Sequence, residues 1–174
     1  MYKYKDMGFR PVDEGDLEIL RKNRNDSSTL LNLGGIDMVS SEQQKSWWHG
    51  VSRSKSQQWF CIVKENYDSV IGVLRFQDID PVNRSVEIGA DIFPAYRGQG
   101  FGKKAYQMAL EYLFNHFNMH CVYLQVTEFN ETAVRLYKQV GFVETGRIPA
   151  SIFRSGKYWD KLIMSLLSEE YFKK

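Results

Sequence analysis

The strongest constraint in this sequence is a glycine-rich turn that joins an apolar strand to a helix. Residues 92–104 contain three alternate glycines and end in two lysines. Glycine lets successive backbone amides turn towards one point without interference from a Cβ atom. The N-terminus of the following helix adds unpaired amides and about half a positive charge. The segment therefore predicts an anion cradle, and the ligand that suits it best is a pyrophosphate.

Spacing excludes two familiar phosphate loops. The Walker loop needs four residues between its glycines and then Lys followed by Ser or Thr, whereas three residues separate Gly98 from Gly102 and Lys103 precedes Lys104. The dinucleotide fingerprint needs a two-residue gap before its last glycine, and Gly98, Gly100 and Gly102 alternate without one. A tight turn that needs glycine only for packing stays open as the alternative.

The composition is that of one compact unit, so we expect residues 1–174 to form a single domain. The chain is 43% hydrophobic and 25% charged, and no repeat or linker divides it. The net charge of +2 is too small to indicate a nucleic-acid partner. No apolar run approaches the ~20 residues that span a bilayer, and residues 1–9 carry charge where a signal peptide would be apolar. We therefore expect a cytoplasmic protein with no membrane partner.

The two cysteines give no sign of a disulfide or a metal site. Cys61 and Cys121 lie in separate apolar segments, with no second thiol or histidine at ligand spacing. We predict buried, reduced thiols and no bound metal.

Hydrophobic periodicity predicts an α/β (α+β) fold with one mixed, mostly antiparallel sheet. The predicted strands cover residues 2–9, 59–64, 70–78, 85–92, 121–127, 142–148 and 158–166, with a hairpin turn at 65–69. The predicted helices cover residues 13–25, 40–51, 100–116 and 130–140, and residues 27–39 are predicted to form a loop. The second helix has a capping signature in which Ser40 or Ser41 pairs with Gln43 or Gln44. The expected architecture has about six or seven strands and about four helices on both faces.

Two motifs resemble those of the GNAT (Gcn5-related) N-acetyltransferases. Residues 97–102 match the signature Gln/Arg-x-x-Gly-x-Gly/Ala, and Asn130-x-x-Ala133-x-x-Leu136-Tyr137-x-x-x-Gly141-Phe142 matches a second motif at the usual distance downstream. The resemblance covers residues 9 to about 166. It implies transfer of an acetyl group from acetyl-CoA to a primary amine by direct attack in a ternary complex. It also implies that the fourth and fifth predicted strands, 85–92 and 121–127, splay apart.

The resemblance also implies which residues bind the co-substrate. Asn130 would hydrogen-bond the pantetheine or the substrate side. The backbone of the fourth predicted strand would follow the pantetheine arm at Ala90, Asp91 and Ile92. The amides of the glycine turn would bind the pyrophosphate. The implied residues of the turn are Arg97, Gly98, Gln99, Gly100, Phe101, Gly102 and Lys103.

Tyr137 takes the position of the family's general acid. A phenol with a pKa near ~10 is still protonated at neutral pH and can protonate a departing thiolate. A core tyrosine on the apolar stripe of its helix would look the same, so that alternative stays open.

Glu87 resembles the carboxylate that several family members use as the base. A solvated or salt-bridged strand residue is the alternative. Other members carry a glutamate in the next strand, but Gln125 holds that place here and cannot serve as a base. Among the histidines, His49 remains a candidate, whereas His116 and His120 flank a helix end and suit surface or capping roles.

By resemblance, the acceptor amine binds near residues 23–50. Candidate residues there are Asn23, Arg24, Trp47, Trp48 and His49. Adjacent tryptophans on a helix point about 100° apart, so at most one of the pair is expected in the core. A tryptophan there could stack on a sugar or base, or pack under the loop. The guanidinium could hold a phosphate or carboxylate, or remain solvated.

Three acceptor classes are compatible with the resemblance. The sequence pattern is similar to amino-sugar-nucleotide, ribosomal-protein and spermidine acetyltransferases. A polyamine site should be acidic, but residues 23–56 hold only Asp26, Asp37 and Glu42 against several cations. We therefore expect an anionic small-molecule acceptor such as an amino sugar nucleotide, with a protein N-terminus or a polyamine as alternatives. A catalytically idle module that binds CoA remains an alternative to an enzyme. The sequence also leaves open whether the protein is a monomer or a homodimer.

Overall fold

One eight-stranded sheet forms the centre of the fold in a computed structural model that describes residues 1–64 and 69–173. The sheet order is β1-β2-β3-β4-β5-β6-β8-β7. Only β5 and β6 are parallel neighbours, and the other adjacent strands are antiparallel. The strands are β1 (Tyr2–Tyr4), β2 (Met7–Pro11), β3 (Gln58–Lys64), β4 (Ser69–Asp80), β5 (Ser85–Ile92), β6 (Cys121–Thr127), β7 (Val143–Arg154) and β8 (Lys157–Leu167).

Six α-helices accompany the sheet in the described part of the chain. They are α1 (Leu17–Asn25), α2 (Ser27–Leu30), α3 (Ser41–Val51), α4 (Phe101–Glu111), α5 (Glu131–Val140) and α6 (Ser168–Phe172). A π-helical turn, Tyr112–His116, continues α4. The predicted mixed sheet with helices is confirmed, although the numbers of strands and helices exceed the expected ones.

Two local features account for part of the difference. The predicted strand at 2–9 is divided in two by a turn at Lys5, whose φ is 53°. The predicted loop at 27–39 begins with α2, because the Asp26 carboxylate accepts a hydrogen bond from the Ser28 amide and caps a helix too short to show a period. The predicted capping box of α3 is confirmed, with Ser40 and Gln43 as its partners. Of the predicted hairpin turn, residues 65–68 lie outside the described residues.

The helices cover both faces of the sheet. Because successive strand residues point to opposite faces, Ile62 and Leu74 pack in the larger cluster with α4 and α5. Their neighbours Cys61 and Val73 pack in a smaller cluster with Leu20 of α1. These two layers fix the position of β5 and of the glycine turn that follows it.

The parallel strands β5 and β6 separate along their length. They pair only at Ser85–Glu87 and Cys121–Tyr123, and a cleft opens between their C-terminal halves. The predicted splay is therefore confirmed, but these strands are the fifth and sixth in the chain.

Both cysteines are free thiols, but only one is fully buried. Burial raises the pKa of Cys61 to about 12, so this thiol is unreactive at neutral pH. Cys121 is only partly buried, contrary to expectation, because it is the first residue of β6. Among the helices described, none combines the length and apolar character needed to cross a membrane.

Candidate active site

Two adjoining cavities lie beside the C-terminal half of β5. The outer cavity, of about 590 Å³, is lined by α1, α3, β3, β4 and the segment after α2. The strand cleft, of about 260 Å³, lies between β5, β6 and α5. Leu33, Gly34, Arg75 and Asp91 line both cavities. A molecule in the outer cavity can therefore extend towards the strand cleft.

The glycine turn leads directly into α4. Gly98 and Gly100 have φ values of 73° and 82°, a left-handed backbone conformation that favours glycine. Gly100 is the N-cap residue of α4, and the first amides of a helix have no partner inside it. A Cβ at Gly98 or Gly100 would meet no atom of the described residues within 4 Å. The turn is thus an open cradle of amides that suits a diphosphate.

Three side chains of this segment, those of Arg97, Gln99 and Lys104, have partners elsewhere in the fold. The Lys104 ammonium pairs with Asp6 at 2.7 Å, and Gln99 Nε2 donates to the Ala95 carbonyl at 3.3 Å. Arg97, expected to bind the co-substrate, donates from its guanidinium to α2 and to the Ile92 carbonyl. Backbone amides are therefore the main binding groups that this turn offers.

Two phenols form a hydrogen-bonded pair at the strand cleft. The Ala90 amide donates to Tyr106 Oη at 3.2 Å, and Tyr106 in turn donates to Tyr137 Oη at 3.2 Å. The hydrogen of the Tyr137 hydroxyl is then available to another acceptor in the cleft. Burial raises the pKa of Tyr137, whereas the hydrogen bond from Tyr106 acts in the opposite direction. Tyr137 therefore stays protonated at neutral pH.

Glu87 lies on β5 and lines the same cleft. Its Oε2 atom accepts a hydrogen bond from Gln125 Nε2 at 3.1 Å. Burial raises the pKa of Glu87, and both the Gln125 hydrogen bond and the charge of Arg75 oppose that rise. A carboxylate with a raised pKa is a better proton acceptor than a fully solvated one.

An ion pair between Arg75 and Asp91 lies where the two cavities adjoin. Arg75 Nη1 is 3.0 Å from Asp91 Oδ2, and the guanidinium lies 5.8 Å from the centre of the Trp59 ring. A Cβ at Gly89 would lie 2.3 Å from Arg75 Cζ, so glycine makes room for this side chain. Sequence reasoning missed Arg75 and Tyr106. The signal for Arg75 was a lone cation in an apolar strand.

Three residues that line the outer cavity each have a buried polar atom without a partner in the described residues: Asn23, Arg24 and Trp59. Asn23 is 8% exposed, and its Oδ1 atom has no hydrogen-bond partner in the described residues. The same holds for Arg24 Nη1 within the described ranges. Burial lowers the pKa of Arg24, although Asp91 and Asp37 oppose this effect. Trp47 lines the cavity, with its ring centre 4.8 Å from that of Trp59.

Two of the predicted acceptor residues lie outside both cavities. Trp48 Nε1 donates to the Val12 carbonyl at 3.4 Å, and His49 is exposed beside the Trp48 ring. Consecutive helix residues point in different directions, so of residues 47–49 only Trp47 lines the outer cavity, together with Asn23 and Arg24. Asn130 lines the strand cleft and caps α5 by accepting a hydrogen bond from the Ala133 amide.

The sequence is similar to those of known proteins. The profile of the Acetyltransferase (GNAT) family matches residues 26–142. Spermidine N(1)-acetyltransferase from Vibrio cholerae is 27% identical over 166 residues, which is 95% of each chain. The Escherichia coli spermidine N(1)-acetyltransferase is 30% identical over 163 residues, which is 94% of this chain and 87% of the relative. A putative ribosomal N-acetyltransferase from Bacillus subtilis is 28% identical over 60% of this chain and 58% of the relative.

The fold also matches solved structures. The crystal structure of spermidine N-acetyltransferase from Vibrio cholerae in complex with CoA and spermine superposes with a TM-score of 0.91 at 26% identity. The match covers 97% of this chain and 99% of that one.

Proposed function

This chain belongs to the Acetyltransferase (GNAT) family and is an acetyl-CoA-dependent N-acetyltransferase, and we propose that its acceptor is a primary amine of a small linear polyamine. The observation that carries the catalytic part of the proposal is the Tyr137 hydroxyl. It lies in the strand cleft, accepts a hydrogen bond from Tyr106 and keeps its own proton available.

The chain offers binding surfaces for two parts of the co-substrate, its diphosphate and its pantetheine arm. The amides of residues 98–103 would hold the diphosphate, and the cleft between β5 and β6 would hold the pantetheine arm. Asn130 lines that cleft and would contact the arm or the acceptor. When bound, acetyl-CoA supplies a thioester, which is reactive towards a neutral amine.

Glu87 and Tyr137 would perform the two proton transfers. An alkylammonium has a pKa near ~10, so the acceptor must lose a proton before it can attack. Glu87 accepts that proton, directly or through a water molecule, and the freed electron pair forms the new C–N bond. Tyr137 donates its phenolic proton to the sulfur as the C–S bond breaks. The attacking nitrogen loses its second proton as the amide forms, and this proton restores the Tyr137 phenol, directly or through solvent. Glu87 releases the first proton to solvent, so the enzyme ends as it began.

Carboxylates along the two cavities support a polyamine acceptor. Asp37 lines the outer cavity, Asp91 lines both cavities and Glu87 lines the strand cleft. Separated ammonium groups of one linear molecule can pair with separated carboxylates. The spermidine acetyltransferases among the relatives support the same class.

The comparisons do not support the expected amino-sugar-nucleotide acceptor. That expectation rested on the acids within residues 23–56, and it omitted Asp91 and Glu87, which β5 contributes to the site from outside that range. Across both linings, as far as the structure describes them, three carboxylates balance three cations: Asp37, Asp91 and Glu87 against Arg24, Arg75 and Lys161.

Arg24 favours a second candidate, an amine that also carries a carboxylate or phosphate. The Nη1 atom of Arg24 is buried without a partner in the described part of the chain. A ligand oxyanion in the outer cavity would satisfy that donor with a charge-assisted hydrogen bond.

An amine panel separates the two candidates. The wild-type enzyme is incubated with acetyl-CoA and each amine, and thiol release and product mass are followed. Cadaverine, pentylamine and 5-aminopentanoate share one primary amine and differ only in a cationic, neutral or anionic far end. We expect kcat/KM for spermidine and cadaverine to exceed that for pentylamine by about tenfold, because each added charged hydrogen bond contributes about 1.5–3 kcal/mol. Faster reaction of 5-aminopentanoate would overturn the polyamine proposal in favour of the second candidate.

A substitution of Asp37 tests whether the polyamine binds in the outer cavity. Asp37→Asn should raise KM for spermidine and leave KM for acetyl-CoA unchanged, because Asp37 lines only the outer cavity. An unchanged KM for spermidine would remove Asp37 from the acceptor site.

We also propose that the protein self-associates. The sheet ends at β7, where Val143, Ile148 and Phe153 are 50%, 42% and 54% exposed. An unpaired edge with exposed apolar side chains suits pairing with another chain. One relative, spermidine N-acetyltransferase from Vibrio cholerae, has a dodecameric structure. Light scattering should give a mass of at least twice 20.4 kDa, and a monomeric mass would refute this arrangement.

A further inference from the structure

The side chain of Arg97 joins the glycine turn to the wall of the outer cavity. Arg97 directly precedes Gly98. Its Nε atom donates to the Ile92 carbonyl at 2.8 Å, its Nη1 atom donates to Ser28 Oγ at 2.7 Å, and its Nη2 atom donates to Thr29 Oγ1. One guanidinium therefore connects the turn, the end of β5 and the short helix α2.

The segment that Arg97 contacts forms one wall of the outer cavity. We call residues 27–39 the cavity segment. Thr29 is 3% exposed and lines the outer cavity, while Leu33 and Gly34 line both cavities. Beyond α2, the rest of the segment contains turns but no helix or strand. Its position therefore depends on the bonds that hold it at separate points.

Two other attachments hold the cavity segment away from the glycine turn. Asn25 exchanges two hydrogen bonds of 2.8 Å with the backbone of Val39. Arg154 Nη2 donates to the carbonyls of Leu33 at 2.7 Å and Gly34 at 3.1 Å. Of these attachments, Arg97 is the one that starts in the co-substrate turn.

We propose that Arg97 is a positioning residue through which CoA binding at the glycine turn orders the cavity segment. An anion on the amides of residues 98–103 fixes the backbone beside Arg97 and favours its bonds to Ser28 and Thr29. The guanidinium bond to Ser28 is exposed, so its net contribution to the stability of the cavity segment is small. When one ligand orders a segment that a second ligand also needs in order, each ligand strengthens the binding of the other. The effect of CoA on acceptor binding therefore equals the effect of the acceptor on CoA binding. The cavity segment, which forms one wall of the outer cavity, is thus ordered once the co-substrate is bound.

Hydrogen exchange tests the proposal with CoA alone as the probe. The amides of Leu31, Asn32 and Leu33 donate within the cavity segment and report its order. In the wild-type protein, CoA should slow their exchange about fivefold or more, which corresponds to the lower limit of typical coupling energies. No amine is present, so the result is independent of the acceptor class proposed above.

Two variants remove the connection from opposite ends. In Arg97→Gln, the shorter amide cannot donate to both hydroxyl groups, although glutamine also satisfies the signature noted for this turn. The double variant Ser28→Ala with Thr29→Val removes the acceptors and leaves every residue of the turn unchanged. Both variants should lose the CoA-dependent slowing. Calorimetry should show that the double variant still binds CoA, since its backbone amides in the turn are intact, and that its affinity falls by about the same factor of fivefold or more, because the coupling is reciprocal.

Arg154→Gln is the matched control. It loosens the same segment from the β7–β8 hairpin without touching the turn, so exchange should be faster both with and without CoA, and the slowing by CoA should persist. Slowing that is absent in the wild type, or retained at full size in the double variant, would overturn the proposal. If Arg97→Gln loses CoA binding, the double variant decides the question.

Discussion

At the scale of single residues, the proposed acid depends on how Tyr106 and Tyr137 share their hydrogen bonds. Tyr106 accepts from the Ala90 amide and donates to Tyr137. This arrangement stabilises the Tyr137 phenolate that forms once its proton has left. It also leaves the Tyr137 hydrogen free to point to the sulfur. Tyr106 is therefore a positioning residue for the acid.

The variant Tyr106→Phe tests this role. Loss of the donated hydrogen bond should raise the pKa of Tyr137 further and leave its hydroxyl group without a fixed orientation. We expect kcat to fall about tenfold, which corresponds to one lost neutral hydrogen bond. CoA affinity measured by calorimetry should be unchanged. Tyr2→Phe is the control, because Tyr2 donates to Glu111 at 3.1 Å and lines neither cavity. Equal kcat values for Tyr106→Phe and the control would argue against the pairing.

Gln125 should adjust the pH at which Glu87 accepts a proton. Its hydrogen bond stabilises the carboxylate and so lowers a pKa that burial raises. Gln125→Leu should raise the pKa of Glu87 and shift the acidic limb of kcat/KM to higher pH by about half a unit, because one exposed hydrogen bond is worth about 0.5–1.5 kcal/mol. Glu87→Gln should abolish that limb. If the limb keeps its wild-type midpoint in both variants, another group is the base.

At the scale of elements, β4 and β5 approach each other too closely at Gly72 for any side chain. A Cβ there would lie 2.5 Å from the Asp91 carbonyl oxygen, a backbone atom that cannot swing aside. The residue approached is Asp91, whose side chain pairs with Arg75. A change at Gly72 therefore affects the stability of the sheet and the shape of the site together.

Gly72→Ala should lower the free energy of unfolding by about 1–3 kcal/mol, the usual cost of overpacking. Gly50 provides the comparison, because it lies in α3 and a Cβ there meets no described atom within 4 Å. Gly50→Ala should raise stability by about 0.5–1 kcal/mol. Urea denaturation measures both changes. Similar values for the two variants would contradict the close approach.

A substitution in the glycine turn tests whether the turn binds CoA. Gly100→Ala places a Cβ at a φ of 82°, which costs about 1–2 kcal/mol and displaces the amides that begin α4. CoA affinity should fall about tenfold. Gly15→Ala, whose Cβ also meets no described atom within 4 Å, should leave the affinity unchanged. Unaltered CoA binding in Gly100→Ala would show that the turn does not hold the diphosphate.

At the scale of the whole molecule, local patterns predicted much of the fold. The bounds of β5 and β6 and the capping box of α3 follow from alternation and from short-range hydrogen bonds. The count of elements was too low partly because α2 and β1 are too short to show a period.

Contacts set by strand register could not be read from the sequence. Arg75 lies opposite Gly89, and the register brings it to Asp91, 16 residues away in the chain. Tyr106 and Tyr137 lie on different helices and meet only after both pack on the sheet. The direction of Trp48 and His49 likewise depends on how α3 is rotated against the body of the fold.

The central claim is that Tyr137 donates the proton that the sulfur takes up in the strand cleft. Single-turnover acetyl transfer from acetyl-CoA to spermidine, compared between the wild type and Tyr137→Phe, tests it most directly. We predict a rate lower by about 10²–10⁴-fold, the usual contribution of a general acid, with CoA affinity within about twofold of wild type. A Tyr137→Phe enzyme that transfers the acetyl group at the wild-type rate would contradict the account.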